Sequence, residues 1–390
     1  MASQRILDTH RAQPSKSFSA YAAETAEMSA ERRFVLGAHC THNGQMDWHL
    51  IKFLESSDNL KPLIKKRFGR EPNTSLAREI IACLQQGRLF YEAAERAPLE
   101  IAPLQLFYGM VGFSKALILA SSLKSISALK PAHGIIDVSQ QKSRISDLTI
   151  KIGESGTFQE FNDFVAPLCR VCYTDYRSTE RRTVHLRSAA SDDIRGLSIN
   201  LEQIFARIPG LESLYALTFG RPALTAPYSI ATPNFSTALQ IQINDTNGFG
   251  DRDSLKRIVD HWRDRFPMLR MWRVAAAQYQ WRETSILFEN HPRAGNDELS
   301  SPDCVWTTEG FERQFTPDDA HLRFGIKEGF NPTAGYLMGG SYLIAPLNGI
   351  YLSDFSLQYL ALFLLSSLVR YADRAIACAQ ICGLHSAQLL

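Results

Sequence analysis

The sequence predicts an α+β protein in which helices from the two ends of the chain form one helical unit and a β-rich mixed region is inserted between them. Three observations predict it. Before residue 134 and after residue 350, apolar residues recur at three- and four-residue steps, the spacing of helices with one buried face. Between those points, short runs alternate apolar with polar residues, the period of half-buried antiparallel strands. Gly, Asn and Asp punctuate these runs as turn residues do. The divisions that follow are a loosely ordered arm over 1–33, an N-terminal helical region over 34–133, a β-rich α+β region over 134–350, and a C-terminal helix over 351–390. That last helix is expected to pack on the N-terminal helices.

Taken in order, the opening residues are polar and small, and Trp48, Ile51, Phe53 and Leu54 mark the first amphipathic helix. After Pro72, Asn73 or Thr74 can cap a helix in which Leu76, Ile80, Cys83, Leu84, Gly87, Tyr91 and Ala94 share one face. Pro98 ends it. A second long helix, from about Ala102 to Leu123, is apolar on nearly every side and belongs in a core. Strand-like alternation then appears at Leu148, Ile150 and Ile152, at Val184 and Leu186, at Leu239, Ile241 and Ile243, and at Leu322, Phe324 and Ile326. Two helices interrupt it, one over 201–207, stopped before Pro209, and one over 254–266 with Leu255, Ile258, Val259 and Trp262 on one face. Ser353 or Asp354 caps the final helix. Its apolar run from Phe355 to Val369 is broken by Gln358, Ser366 and Ser367 and is shorter than the roughly 20 residues a bilayer needs, so no integral membrane span is expected there.

The totals set limits on function. A formal net charge of +2, from 42 Lys and Arg against 40 Asp and Glu, gives no overall field to draw the chain to nucleic acid. The first 31 residues lack the apolar stretch of a secretory signal, and seven irregularly placed cysteines fit a reducing compartment better than a disulfide framework. A cytoplasmic location is the expectation.

No catalytic motif is strong enough to name a reaction. Cys169 and Cys172 have metal-ligand spacing, yet no second pair follows at a finger-like distance, so structural thiols are the expected reading and no metal or cofactor is expected. Gly-x-Ser-x-Gly and a Walker-type phosphate loop are both absent from the sequence. Gly153 to Gly156 reads as a hairpin turn, and Gly248 to Gly250 as a loop. Arg177 to Arg187 holds four arginines with His185 on a strand-like period; Arg181, Arg182 and Arg187 form a basic edge, with contact to an anion or a membrane surface as the functional alternative. Lys115 is an isolated charge inside the most apolar helix, in line with Gln105, Tyr108, Gly112 and Ser122. A snorkelling or paired lysine is expected there, ahead of a ligand-binding one.

The run Gly87-Arg-Leu-Phe-Tyr91, Ala97-Pro98, Phe107-Tyr108-Gly109, Lys115-Ala116 and His133-Gly134 resembles the N-terminal signature of YaaC-like proteins. Tyr359, Leu362, Leu365-Ser366 and Arg370-Tyr371 resemble that family's C-terminal helix, although Ala375 to Ala379 stand where a tryptophan is expected. The resemblance covers the two helical ends of the chain and leaves much of the middle unmatched. It carries over no catalytic residue. What it implies is context: a component of a bacterial antiphage system that senses infection and works with a separate effector protein. The reading adopted is a non-catalytic sensor or adaptor, answering to a phage-derived trigger and acting as a homo-oligomer. A membrane surface is a second place of recruitment. Tyr91, Tyr108, Lys115, His133, Arg370 and Tyr371 are the motif residues, structural or binding in role. The alternative is an enzyme, a nuclease or nucleotide-processing protein, whose site the sequence hides.

Overall fold

In the computed structural model of the chain, the residues described are 39–40, 46–139, 144–168, 170–175, 182–231, 240–290, 299, 304–307, 310–313 and 341–370. The chain divides into two compact units, 1–47 and 48–390. In the first, β1 (His39–Cys40) and β2 (Met46–Asp47) pair antiparallel.

The second unit opens with α1 (His49–Leu54), α2 (Ser57–Phe68), α3 (Thr74–Ala94) and α4 (Ala102–Ser122). So short a helix as α1 buries only Ile51 and Leu54 beside Trp48, and leaves Phe53, expected on the same face, more than half exposed. Asn73 is the cap of α3. Its side-chain oxygen accepts a hydrogen bond from the Leu76 amide at 2.8 Å, satisfying one of the orphan donors of the first turn. Helices α3 and α4 then touch backbone to backbone. A Cβ built on Gly112 would lie 2.9 Å from the Gly87 amide nitrogen and 3.1 Å from the Cys83 carbonyl oxygen, so only glycine fits this crossing.

Three strands follow in an antiparallel sheet of order β3-β4-β7: β3 (Ile135–Asp137), β4 (Thr149–Ile152) and β7 (Ser198–Asn200). Between β4 and β7 lie α5 (Thr157–Val165), the ribbon of β5 (Arg170–Asp175) with β6 (Arg182–Arg187), and α6 (Ser191–Ile194). Residues 153–156 therefore join a strand to a helix, which corrects the hairpin turn expected from the sequence. This turn still makes no phosphate cradle. The first amides of α5, those of Thr157 and Phe158, donate to the carbonyls of Ala132 and His133, and the Gln159 amide nitrogen bonds the carbonyls of Gly134 and Gly153.

Helices α7 (Leu201–Phe205) and α8 (Glu212–Phe219) lead into a seven-stranded antiparallel sheet of order β12-β13-β10-β11-β9-β8-β14. Its strands are β8 (Thr225–Ala231), β9 (Gln240–Asp245), β10 (Trp272–Gln280), β11 (Glu283–Asn290), β12 (Cys304–Trp306), β13 (Gly310–Arg313) and β14 (Ser341–Ile344). One helix, α9 (Arg252–Arg265), covers it, burying Leu255, Ile258, Val259 and Trp262 against Ile241, Ile243, Val274 and Phe288. The last helix, α10 (Asp354–Arg370), starts at Ser353, whose hydroxyl accepts from the Ser356 amide at 3.0 Å. It packs on α4, α5 and α7. The core formed there also takes in the small sheet: Phe107 and Ile118 of α4, Ile150 of β4, Phe158 and Phe161 of α5, and Tyr359 and Leu364 of α10 belong to one cluster. The fold is α+β. Leu239, Leu322, Phe324 and Ile326 lie outside the described residues.

Candidate functional site

Helix α4 combines the length and the apolar composition that a membrane span shares with a core helix, and nine of its residues are buried within the fold. Its partly polar side carries the site. Phe107 is fully buried and meets three rings edge-on: His133 at 5.1 Å, Phe363 at 5.6 Å and Tyr359 at 5.8 Å between centroids. Edge-to-face contacts at these spacings add to the burial of the rings. The guanidinium carbon of Arg370 stands 5.7 Å from the Phe107 centroid and 5.7 Å from that of Phe363, a cation–π placement with two aromatic walls. Arg370 also donates through Nη2 to the Ser366 hydroxyl at 3.2 Å. With no carboxylate paired to it among the described residues, its charge is held by rings and a serine.

His133 follows Pro131 at the passage from α4 to β3 and lies beside Phe363 as well as Phe107. Burial pushes its pKa below the ordinary value of 6.5, and the charges of Arg370 and then Lys115 push it further the same way. The imidazole is thus neutral at pH 7. Lys115, half-buried on α4, is close enough to bias both His133 and Cys83, whose thiol burial pushes up and Lys115 draws back down. A guanidinium and an imidazole on an aromatic floor, with the Lys115 charge acting on the imidazole, favour an anionic ligand over a metal cation.

Two of the sequence's motif residues, His133 and Arg370, are thereby brought together on the Phe107 and Phe363 rings from the segment before β3 and the end of α10, while Lys115 of α4 acts on His133 through its charge. Tyr91 is elsewhere. It packs with Phe113 at 5.6 Å and Trp48 at 6.0 Å, and burial pushes its hydroxyl up to about 12. Tyr108 sits on the surface of α4, stacked 5.7 Å from Phe90. Tyr371, Arg181 and Cys169 lie outside the described residues. Arg187 pairs in register with Arg170, Arg182 with Asp175, and Cys172 with His185, in the β5–β6 ribbon. Among the described residues, no group of three His, Cys, Asp or Glu is placed to hold a metal ion.

Two surface features have no counterpart in the sequence reading. An open apolar depression of about 660 Å³ runs along α3, lined by Ala82, Cys83, Gln86, Leu89, Phe90 and Ile126 among others. At the β10–β11 hairpin, Trp281 and Arg282 both adopt left-handed backbone, at φ 55° and 69°, and Trp281 is 95% exposed. No Asn-Gly or Gly-rich pair marks that turn, so the usual signal for it is missing.

A cationic, ring-lined cluster lies at the joint of α4 and α10, in an α+β fold whose last helix packs on its early ones. The chain belongs to the YaaC-like protein family, whose model matches residues 52–375 of its 390. The match runs through the middle of the chain as well as its ends. No curated protein and no solved structure matched the chain.

Proposed function

We propose that this protein is a non-catalytic sensor or adaptor of a bacterial antiphage defence system. It acts as a homo-oligomer in the cytoplasm with a separate effector protein, and it is recruited to a membrane surface during infection. One observation supports the recognition step: His133 and Arg370 meet on the Phe107 and Phe363 rings, with the charge of Lys115 acting on His133, an arrangement suited to an anionic group. Such a group on a phage-derived trigger, a protein or a lipid surface, would change the orientation of α10 against α4. The arginines at 181, 182 and 187 would add a second, weaker anionic contact.

The test is a phage plating assay in cells that carry the protein with its neighbouring effector gene, read beside protein level and melting temperature. Lys115→Gln removes a charge and little volume. It should abolish protection while melting within about 0.5 kcal/mol of the parent, as partly exposed substitutions do. Full protection by the well-folded variant would overturn the site. Turnover of nucleic acid or nucleotide by the purified protein alone would replace the adaptor with an enzyme.

A further inference from the structure

The open depression on α3 follows the outer face of that helix. Along its outer face run Ala82, Gln85, Gln86, Leu89 and Ala93, all exposed and uncharged, with Phe90 and Ile126 as walls. Leu89 is 56% exposed and Ile126 is 43% exposed, which costs apolar surface in water with no return inside this chain. From Ala82 to Ala93 the face spans about 16 Å, three helical turns.

Its ends carry opposite charges. Glu79 stands one turn before Ala82, and Arg96 lies in the turn just after the helix; among the described residues neither has an ion-pair partner, Glu79 giving only one oxygen to the Ile126 amide at 2.7 Å. Positions 79 and 96, 82 and 93, 85 and 90, and 86 and 89 all share one midpoint, between residues 87 and 88. A two-fold axis through that midpoint lays α3 antiparallel on its copy. It then sets Ala82 against the copy's Ala93, Leu89 against the copy's Gln86, and Glu79 against the copy's Arg96, each contact occurring twice. Paired alanines allow the close approach of 8–10 Å that packed helices need. Self-complementarity of this kind is the requirement of an isologous interface.

We infer that α3 is the homodimer interface, formed by antiparallel pairing of its outer face across this axis. The inference rests on the oligomeric part of the function proposed above and assigns it a surface. The experiment is analytical ultracentrifugation of the full chain with four variants, each checked by melting temperature. The parent should sediment at twice the chain mass of 43.8 kDa, and Leu89→Glu at the single mass. Arg96→Glu, and separately Glu79→Arg, place like charges together twice and should weaken the dimer about tenfold or more. Combining Glu79→Arg with Arg96→Glu reverses both pairs and should restore it. A dimer that survives Leu89→Glu, or a double variant as weak as the singles, would overturn this interface and leave oligomerisation standing. A parent that is monomeric at tens of micromolar would overturn both.

Discussion

Gly112 shows what a single atom can cost in this protein. A Cβ there would press on the Gly87 backbone nitrogen at 2.9 Å and its Cα at 3.0 Å, neither of which can turn aside as a side chain can. Alanine gains about 1 kcal/mol in helix propensity over glycine, while overpacking a fixed contact costs roughly 1–3 kcal/mol. Gly112→Ala is therefore expected to destabilise the protein by about 1 kcal/mol, seen as a lower urea midpoint with an unchanged slope; an equal or higher midpoint would mean that α3 and α4 part freely. His133 has a pH signature instead. Its pKa in the fold lies below 6.5 because burial, Arg370 and Lys115 all disfavour the imidazolium. Above pH 6.5 both folded and unfolded chains carry it neutral and its contribution is complete. As pH falls below 6.5 the unfolded chain takes up the proton first, so stability is lost until the folded pKa is passed. His133→Gln should flatten the fall in melting temperature between pH 7 and pH 5 relative to the parent. Parallel curves would remove His133 from the linkage.

Among the elements, strands β9, β10 and β11 are tied by a buried polar row. Arg273 on β10 faces Glu289 on β11, its Nε donating to the carboxylate, and Gln240 on β9 donates to the same carboxylate at 2.8 Å. Arg273 and Glu289 are each 4% exposed. Removing one partner strands the other charge in the core, so Arg273→Leu is expected to cost about 3–5 kcal/mol. Changing both residues to leucine should recover more than half of that, since the stranded charge is gone. Denaturant unfolding of the two singles and the double measures the coupling, and additive losses would show that the pair acts as two independent groups. The period of β9 was legible, because alternation of Ile241 and Ile243 with polar neighbours records which side is buried, whereas β10 and β11 were not read from the sequence. The pairing of Arg273 with Glu289 was not legible, because register between strands distant in the chain leaves no local mark.

At the scale of the whole molecule, the compact unit begins at Trp48, whose buried ring lies 6.3 Å from Phe113 and 6.0 Å from Tyr91. A chain of residues 48–390 should fold alone. Its melting temperature should fall within about 2 °C of the full chain, less than the shift that 1 kcal/mol produces in a domain of 150–250 residues. A larger drop, or recovery only as aggregate, would show that residues 1–47 contribute to the core.

By itself the sequence determined the classes of element and their order: helices at both ends, strands between, a cap at Asn73 or Thr74, and the core faces of α3, α9 and α10. Each of these is local. A cap needs three neighbouring residues and an amphipathic face needs a period, and both are written wherever water lies on one side and apolar packing on the other. Family resemblance also pointed to His133 and Arg370, without placing them together. Only the tertiary structure decided that, by packing α10 on α4 so that the Phe107 and Phe363 rings fix one guanidinium and one imidazole between them. It likewise turned residues 153–156 into a strand-to-helix joint, since the carbonyls that receive the first amides of α5 come from Ala132 and His133, a segment no local pattern connects to them.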